Sequence, residues 1–370
     1  MTNKVTKIFT VMGMATVLVA AGYLLLAPAP VKSAHQYSGT FYIAGMGGHF
    51  AVAEALIDPS ADPPIKITSL DRIEIGESST HPTHDPRIDV TDRNTMFWST
   101  YKVDKSANGQ LHVGKSDLKT GNVLADKTVA VPDRAEWTGA NYCASGQSQN
   151  YYMPVSMAME GYIDVIDKKT MEVKERVFLD KVLADKNYKF LHGTNTPDGK
   201  GFLLSVNKST PKTKDSWDTT GDLEMILLDM AALEKGEAKV IKRHTIKGGN
   251  PKSTIAFRQY YSPDGKTIFQ SANDLFYVID GSTLELIAKE NRQGGGNHDA
   301  IPTPDGKYTI LTLRTQYEVG EEKYNDGTLQ LYDVANKKVV GGTVSVCKSC
   351  HDDADYEGNA ILCGIEANWK

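Results

Sequence analysis

Cysteine and histidine are scarce in this sequence, with four and nine residues among 370. A chain of this length buries enough apolar surface to fold without covalent staples, so four cysteines do not make a disulfide scaffold. Excess charge is also missing. There are 41 basic and 46 acidic residues, a formal net charge of −5. No basic stripe argues for nucleic acid as a partner. Neither G-x-S-x-G nor H-E-x-x-H occurs, which removes the common serine-esterase and zinc-peptidase arrangements. What is plentiful is 32 glycines, 15 prolines and 17 tyrosines, a composition of many short strands and tight turns.

The N-terminus carries a targeting signal. Lys4 and Lys7 precede an uncharged run from Ile8 to Leu26, followed by Ala27-Pro28-Ala29-Pro30. A basic flank before an apolar stretch marks a signal peptide or a signal anchor. At ~1.5 Å per residue the run reaches about 28 Å, close to a bilayer core. Cleaved signals have shorter apolar regions ending in a small-x-small site, and here Ala27-x-Ala29 is followed by Pro30. An uncleaved transmembrane anchor at Ile8–Leu26 is therefore favoured, with a cleaved signal as the alternative. Residues 1–34 form this segment. The rest is expected on the periplasmic side of the inner membrane, or free in the periplasm.

From Tyr37 onward the pattern is β and repeats. Tyr162-Ile-Asp-Val-Ile-Asp167, Leu275-Phe-Tyr-Val-Ile-Asp280 and Leu329-Gln-Leu-Tyr-Asp333 each precede a second short strand. Weaker copies lie at Leu111–Val129, Leu223–Ile241 and Phe50–Ile75. The terminal aspartates Asp58, Asp117, Asp167, Asp229, Asp280 and Asp333 are spaced by 59, 50, 62, 51 and 53 residues. Pro-Asp-Gly-Lys turns at Pro197, Pro263 and Pro304 stand in register with the hairpins. Proline presets φ at the second turn position, and Asp-Gly tolerates φ > 0. A period near 50 residues with four strands per unit predicts an all-β fold: a β-propeller of six or seven four-stranded blades spanning residues 37–370, in which ring closure covers each blade with its neighbours. The segment from His351 to Cys363 is expected to pair with Phe41–Gly45 and close the ring.

The Pro-Asp-Gly-Lys turns and Tyr-Val-Ile-Asp strands resemble the YVTN and cytochrome d1-type periplasmic propellers over most of Gly39–Lys370. The resemblance implies the fold. It leaves the activity open, because this fold hosts many.

Cys347-Lys-Ser-Cys350-His351 is C-x-x-C-H, the attachment sequence of c-type heme. Two thiols form thioethers to the porphyrin vinyl groups, and the adjacent imidazole falls under the iron as proximal ligand. One covalent heme c is expected at residues 347–351. The alternatives are a Cys347–Cys350 disulfide and a zinc site completed by ligands elsewhere. Cys143 and Cys363 are left to pair as a disulfide or to stay as buried thiols. Only nineteen residues follow His351, too few for a small helical cytochrome domain, so the propeller itself must hold the heme.

Asn297-His298-Asp299 stands five residues before its Thr303-Pro-Asp-Gly turn, and His351-Asp352 reads like His298-Asp299. His192 and His84 fall at equivalent unit starts, joined by Arg258 and Asn141 from other units. Innermost strands start at the rim of the central channel, so these residues are expected to converge there. His298 is the first choice of distal heme ligand, His84 and His192 are candidate channel ligands, and Arg258 is a candidate partner for a heme propionate. Met96, Met153 and Met157 are expected in core packing.

The function expected is electron transfer by an exported, membrane-associated monoheme cytochrome, with a redox protein or membrane redox complex as partner. The rival reading is a catalytic heme/copper oxidoreductase, similar to nitrite reductase, nitrous oxide reductase or thiocyanate dehydrogenase, with copper at the channel histidines. The third is a non-redox binding or assembly module.

Overall fold

The recurring aspartates cap recurring turns. Asp117, Asp167 and Asp280 each end a strand and accept two backbone N–H groups, from the residues two and three positions on, at 2.7–2.9 Å. Asp58, Asp229 and Asp333 accept one each, from Ser60, Ala232 and Asn336. These side-chain turns join the third strand of each unit to the fourth. The Pro-Asp-Gly-Lys segments join the first strand to the second. Thr196, Ser262 and Thr303 accept the N–H five residues on at 2.9–3.1 Å. Gly199, Gly265 and Gly306 take φ of 68–72°, which glycine adopts without a Cβ penalty.

The computed structural model describes residues 36–135, 141–157, 161–183, 187–211, 213, 218–292, 296–319, 322–346 and 364–370. They form six antiparallel four-stranded sheets. The first pairs Ile365–Trp369 with Tyr37–Ala44, then His49–Ile57 and Ile65–Glu74. The second is Thr83–Ile88, Thr95–Thr100, Leu111–Asp117 and Val123–Val129, and the third Tyr142–Gln147, Tyr151–Ser156, Tyr162–Asp167 and Val173–Phe178. The fourth is Tyr188–Asn195, Gly201–Ser209, Thr219–Asp229 and Val240–Ile246, and the fifth Gln259–Tyr261, Thr267–Ala272, Leu275–Asp280 and Leu286–Asn291. The sixth is Asn297–Pro302, Tyr308–Val319, Glu322–Asp333 and Lys338–Ser345. The first strand of each sheet touches the first strands of both neighbours, and the sixth sheet meets the first. This is a closed six-bladed β-propeller.

Six separate apolar cores lie between adjacent blades. Trp98, Met96 and Phe50 fill the first–second interface, Met153, Leu191 and Phe202 the third–fourth, and Phe41, Ile310 and Leu331 the sixth–first. Burial of one such side chain contributes roughly 1.5–3 kcal/mol, so ring closure is itself a large stabilising term. Met96 and Met153 pack in cores, as expected.

Two sequence expectations change. The blade number is six. The closing strand is Ile365–Trp369, paired with Tyr37–Ala44 from Ile43↔Ile365 to Gly39↔Trp369, rather than 351–363. Ile365 and Ala367 turn inward on alternate positions, and Trp369 meets Phe41 edge-on with ring centroids 5.2 Å apart. The targeting segment 1–34 and the stretch 347–363 lie outside the described residues. No helix among the described residues is long and apolar enough to cross a membrane.

Gly109–Ser116 spells G-x-x-x-x-G-K-S, a phosphate-loop pattern. That motif needs a loop between strand and helix. Here Leu111–Asp117 is a strand, and Trp98 lies over Gly114 where a Cβ would fall. The pattern is a chance match.

Candidate functional site: the central channel

The inner strands carry the channel residues, and four of them share one irregularity. The second blade shifts register between His84 and Arg87, the third between Tyr142 and Ala144, the fourth between Lys189 and Leu191, and the sixth between Asn297 and Asp299. A bulge inserts an unpaired residue and re-aims side chains. Cys143 and His298 are such inserted residues. Asp85, inside the second-blade shift, has φ of 51°, an uncommon conformation that asparagine and aspartate tolerate best.

Arg258 precedes the short inner strand of the fifth blade and reaches across to the second. Its Nη1 pairs with Asp85, and its Nη2 donates to the Cys143 carbonyl and to His84 Nδ1, the latter at 3.1 Å. A guanidinium only donates. His84 Nδ1 is therefore the acceptor, and the ring hydrogen sits on Nε2. In this arrangement His84 presents an N–H rather than a lone pair, and it stacks on Tyr101 at 4.9 Å.

Charges alternate along a buried ladder. Glu366 meets Arg87 at 3.3 Å, Arg87 meets Asp85 at 3.3 Å, Asp85 meets Arg258, and Arg258 Nε lies 3.7 Å from Asp299. Asp299 Oδ2 closes on His298 Nδ1 at 2.7 Å. Burial raises the Asp299 carboxyl, but His298, Arg258 and the Tyr260 hydroxyl at 2.9 Å together outweigh it, and the group sits at about 2. Burial raises Glu366, and Arg87 opposes it. Asp85 Oδ2 and Arg258 Nε are buried with no hydrogen-bond partner among the described residues. Native proteins rarely leave such atoms in a dry core, so they mark a polar channel.

Cys143 Sγ lies 2.9 Å from His192 Nε2. Burial, with His298 and Arg258 adding repulsion, depresses the His192 imidazole well below its usual range. His192 is therefore a neutral imidazole beside the Cys143 sulfur. Phe257 stands between the two halves, 6.1 Å from His192 and 4.4 Å from His298 by ring centroid.

The structure thus brings His84, His192, His298 and Arg258 into one channel. Arg258 is already engaged by protein groups, so a propionate would have to compete with Asp85. In the third blade the bulge position belongs to Cys143, two residues after Asn141. The inner strand there starts at Tyr142, and Cys143 fills the bulge that His298 fills in the sixth blade. Arg87, Tyr260 and Glu366 were missed. Cys347, Cys350, His351 and Cys363 lie outside the described residues.

No family model and no curated protein matches the chain. Solved structures do. A chain of the nidogen/laminin complex aligns with 89% of this chain and 98% of its own, at 10% identity and a TM-score of 0.55. The Myceliophteria thermophila Cps50 (Swd1) β-propeller domain aligns with 86% and 88%, at 13% identity and 0.47. The likeness is one of fold alone. The function must be argued from the channel and from the motif beside it.

Proposed function

We propose that the chain is an exported, membrane-associated monoheme c-type cytochrome that passes electrons in a respiratory or other redox chain. The observation that carries this reading is the placement of Gly364. A Cβ there would fall 2.7 Å from Arg258 Nη1, so the chain that carries Cys347-x-x-Cys350-His351 re-enters the described fold inside the channel. His298 lies on the same ladder.

The channel residues fit a heme. Asp299 holds His298 Nδ1, so coordination through His298 would use Nε2, the carboxylate–histidine arrangement that fixes ring orientation and raises basicity. Cys347 and Cys350 would hold the group covalently, with His351 as proximal and His298 as distal ligand. Bound heme supplies the one-electron chemistry. The protein orients His298 through Asp299, and Arg258 fixes Asp299 and Asp85 in turn. Apolar blade cores exclude water. The partner is a redox protein or membrane complex, and the anchor at Ile8–Leu26 keeps the propeller near it.

A heme stain on a denaturing gel tests the reading. Covalent heme that disappears in Cys347→Ser/Cys350→Ser is expected. Its absence from the wild-type chain leaves a non-redox propeller module.

A catalytic heme/copper oxidoreductase is the second reading, favoured by Cys143 and His192, since a sulfur and an imidazole suit copper. One copper per chain, lost in Cys143→Ser, would establish it. Iron as heme without copper supports electron transfer.

A further inference from the structure

Among the described residues, three metal-ligating side chains of the histidine, cysteine and carboxylate class converge at His81, His112 and Asp126, with ligand atoms within 4.8 Å of one another. None of them lies in the channel set. They belong to the second blade, on its outer hairpin and the loop before its inner strand.

The sequence brings them together by strand register. His112 pairs with Thr128 and Gly114 with Asp126, so His112 and Asp126 are diagonal neighbours on one face of the hairpin. Gly114 lacks a side chain, and the Trp98 indole occupies that space. The loop 75–82 then lays His81 over the pair. A Cβ at Gly76 would fall 2.5 Å from His81 Nδ1, so this glycine permits the close approach. The two imidazole centroids are 4.1 Å apart, and His81 meets Trp98 edge-on at 6.2 Å.

Each ring is oriented from its far nitrogen. His81 Nδ1 lies 2.9 Å from Thr80 Oγ1, and His112 Nε2 lies 3.2 Å from Asp104 Oδ2. Asp104 is itself held by the Ser106 N–H and hydroxyl at 2.7 and 2.6 Å. The near nitrogens, His81 Nε2 and His112 Nδ1, face the two oxygens of Asp126 at 2.9 Å each. Outer groups that fix histidine tautomers, with inner nitrogens gathered around one carboxylate, are what metal sites require. A surface ion pair needs no such second layer.

We propose that His81, His112 and Asp126 bind a divalent transition-metal ion of borderline softness, with Zn²⁺ as the representative. Two imidazoles and one carboxylate favour such an ion over Ca²⁺ or Mg²⁺, which take oxygen ligands. Three protein ligands leave a fourth position for water. Asp126 is 36% exposed, so that position opens to solvent. The site is separate from the proposed heme and stands or falls without it.

Equilibrium dialysis of the full chain against Zn²⁺ tests this. The wild type should retain one equivalent more than either Asp126→Asn or His81→Gln. Asp126 is half-exposed and His81 sits in a loop, and a cooperative thermal melt of each variant without metal checks that it folds. Asp104→Asn should keep the site but weaken it, about 10- to 100-fold by the usual effect of outer-shell partners. Co²⁺ in place of Zn²⁺ should give visible d–d bands in the wild type and lose them in Asp126→Asn. Equal zinc counts in the wild type and both variants, or no retention by the wild type, overturn the proposal.

Discussion

Gly364 and Arg258 touch where the closing strand meets the channel. Gly364 has φ of 152°, and a Cβ would strike both Arg258 Nη1 and Pro86 Cδ, at 2.7 and 2.8 Å. Neither neighbour gives way easily, since both terminal nitrogens of Arg258 are hydrogen-bonded and proline is rigid. Gly364→Ala is expected to destabilise the fold by about 1–3 kcal/mol, the usual cost of overpacking. Denaturant melts should show a lower midpoint. An unchanged midpoint would mean that the closing strand docks independently of Arg258.

Arg258 is the counter-ion that spans the channel from the fifth blade to the second. Arg258→Met leaves Asp85 with Arg87 alone and deprives Asp299 of a cation. Loss of one member of a buried pair costs about 3–5 kcal/mol. Arg258→Lys should rescue little, because a single ammonium nitrogen cannot stand where Nη1 meets Asp85 and also where Nη2 meets His84 and the Cys143 carbonyl. Full rescue by lysine in urea melts would show that net charge alone matters.

His192 sets an acid limit on stability. Its folded pKa is depressed by burial, then by His298 and Arg258. The unfolded imidazole takes up a proton near ~6.5. The unfolded state therefore binds more protons, and stability falls as pH drops below that value. The expected loss is about 1.4 kcal/mol per pH unit until the folded pKa is reached. His192→Gln should flatten this arm between about pH 6.5 and 5 in melts followed across pH. A slope as steep as that of the wild type would contradict a neutral His192 in the folded state.

His298 should act through Nε2, because Asp299 holds Nδ1. In heme-loaded protein, His298→Gln is expected to shift the reduced optical spectrum from low to high spin. Asp299→Asn should leave the ligand in place but change the reduction potential. An unaltered spectrum in His298→Gln removes it as distal ligand.

The repeat was legible because its markers are backbone chemistry. Asp117, Asp167 and Asp280 cap the same turn, and Thr196, Ser262 and Thr303 close another, so their residue types recur. His84, His192, His298 and Arg258 were legible from their register against those turns. Cys143 was not. It takes the bulge position that His298 takes in the sixth blade, but Tyr142-Cys143 shares no residue type with Asn297-His298, and a bulge leaves no trace in residue type. The ion ladder was equally hidden, since Asp85 and Arg258 are 173 residues apart and meet only when the ring closes. The cluster on the second blade depends on Gly76 and Gly114, whose role is the space they leave.

The closing strand also gives the propeller a timetable. Tyr37–Ala44 leaves the ribosome early, and its partner Ile365–Trp369 leaves only after the other five blades. At ~5–20 residues per second the interval is on the order of tens of seconds. Throughout it the first blade presents an open edge, a template for pairing with another chain. The chain stays unsealed through that interval, and holding its edge until Trp369 arrives is work for a chaperone.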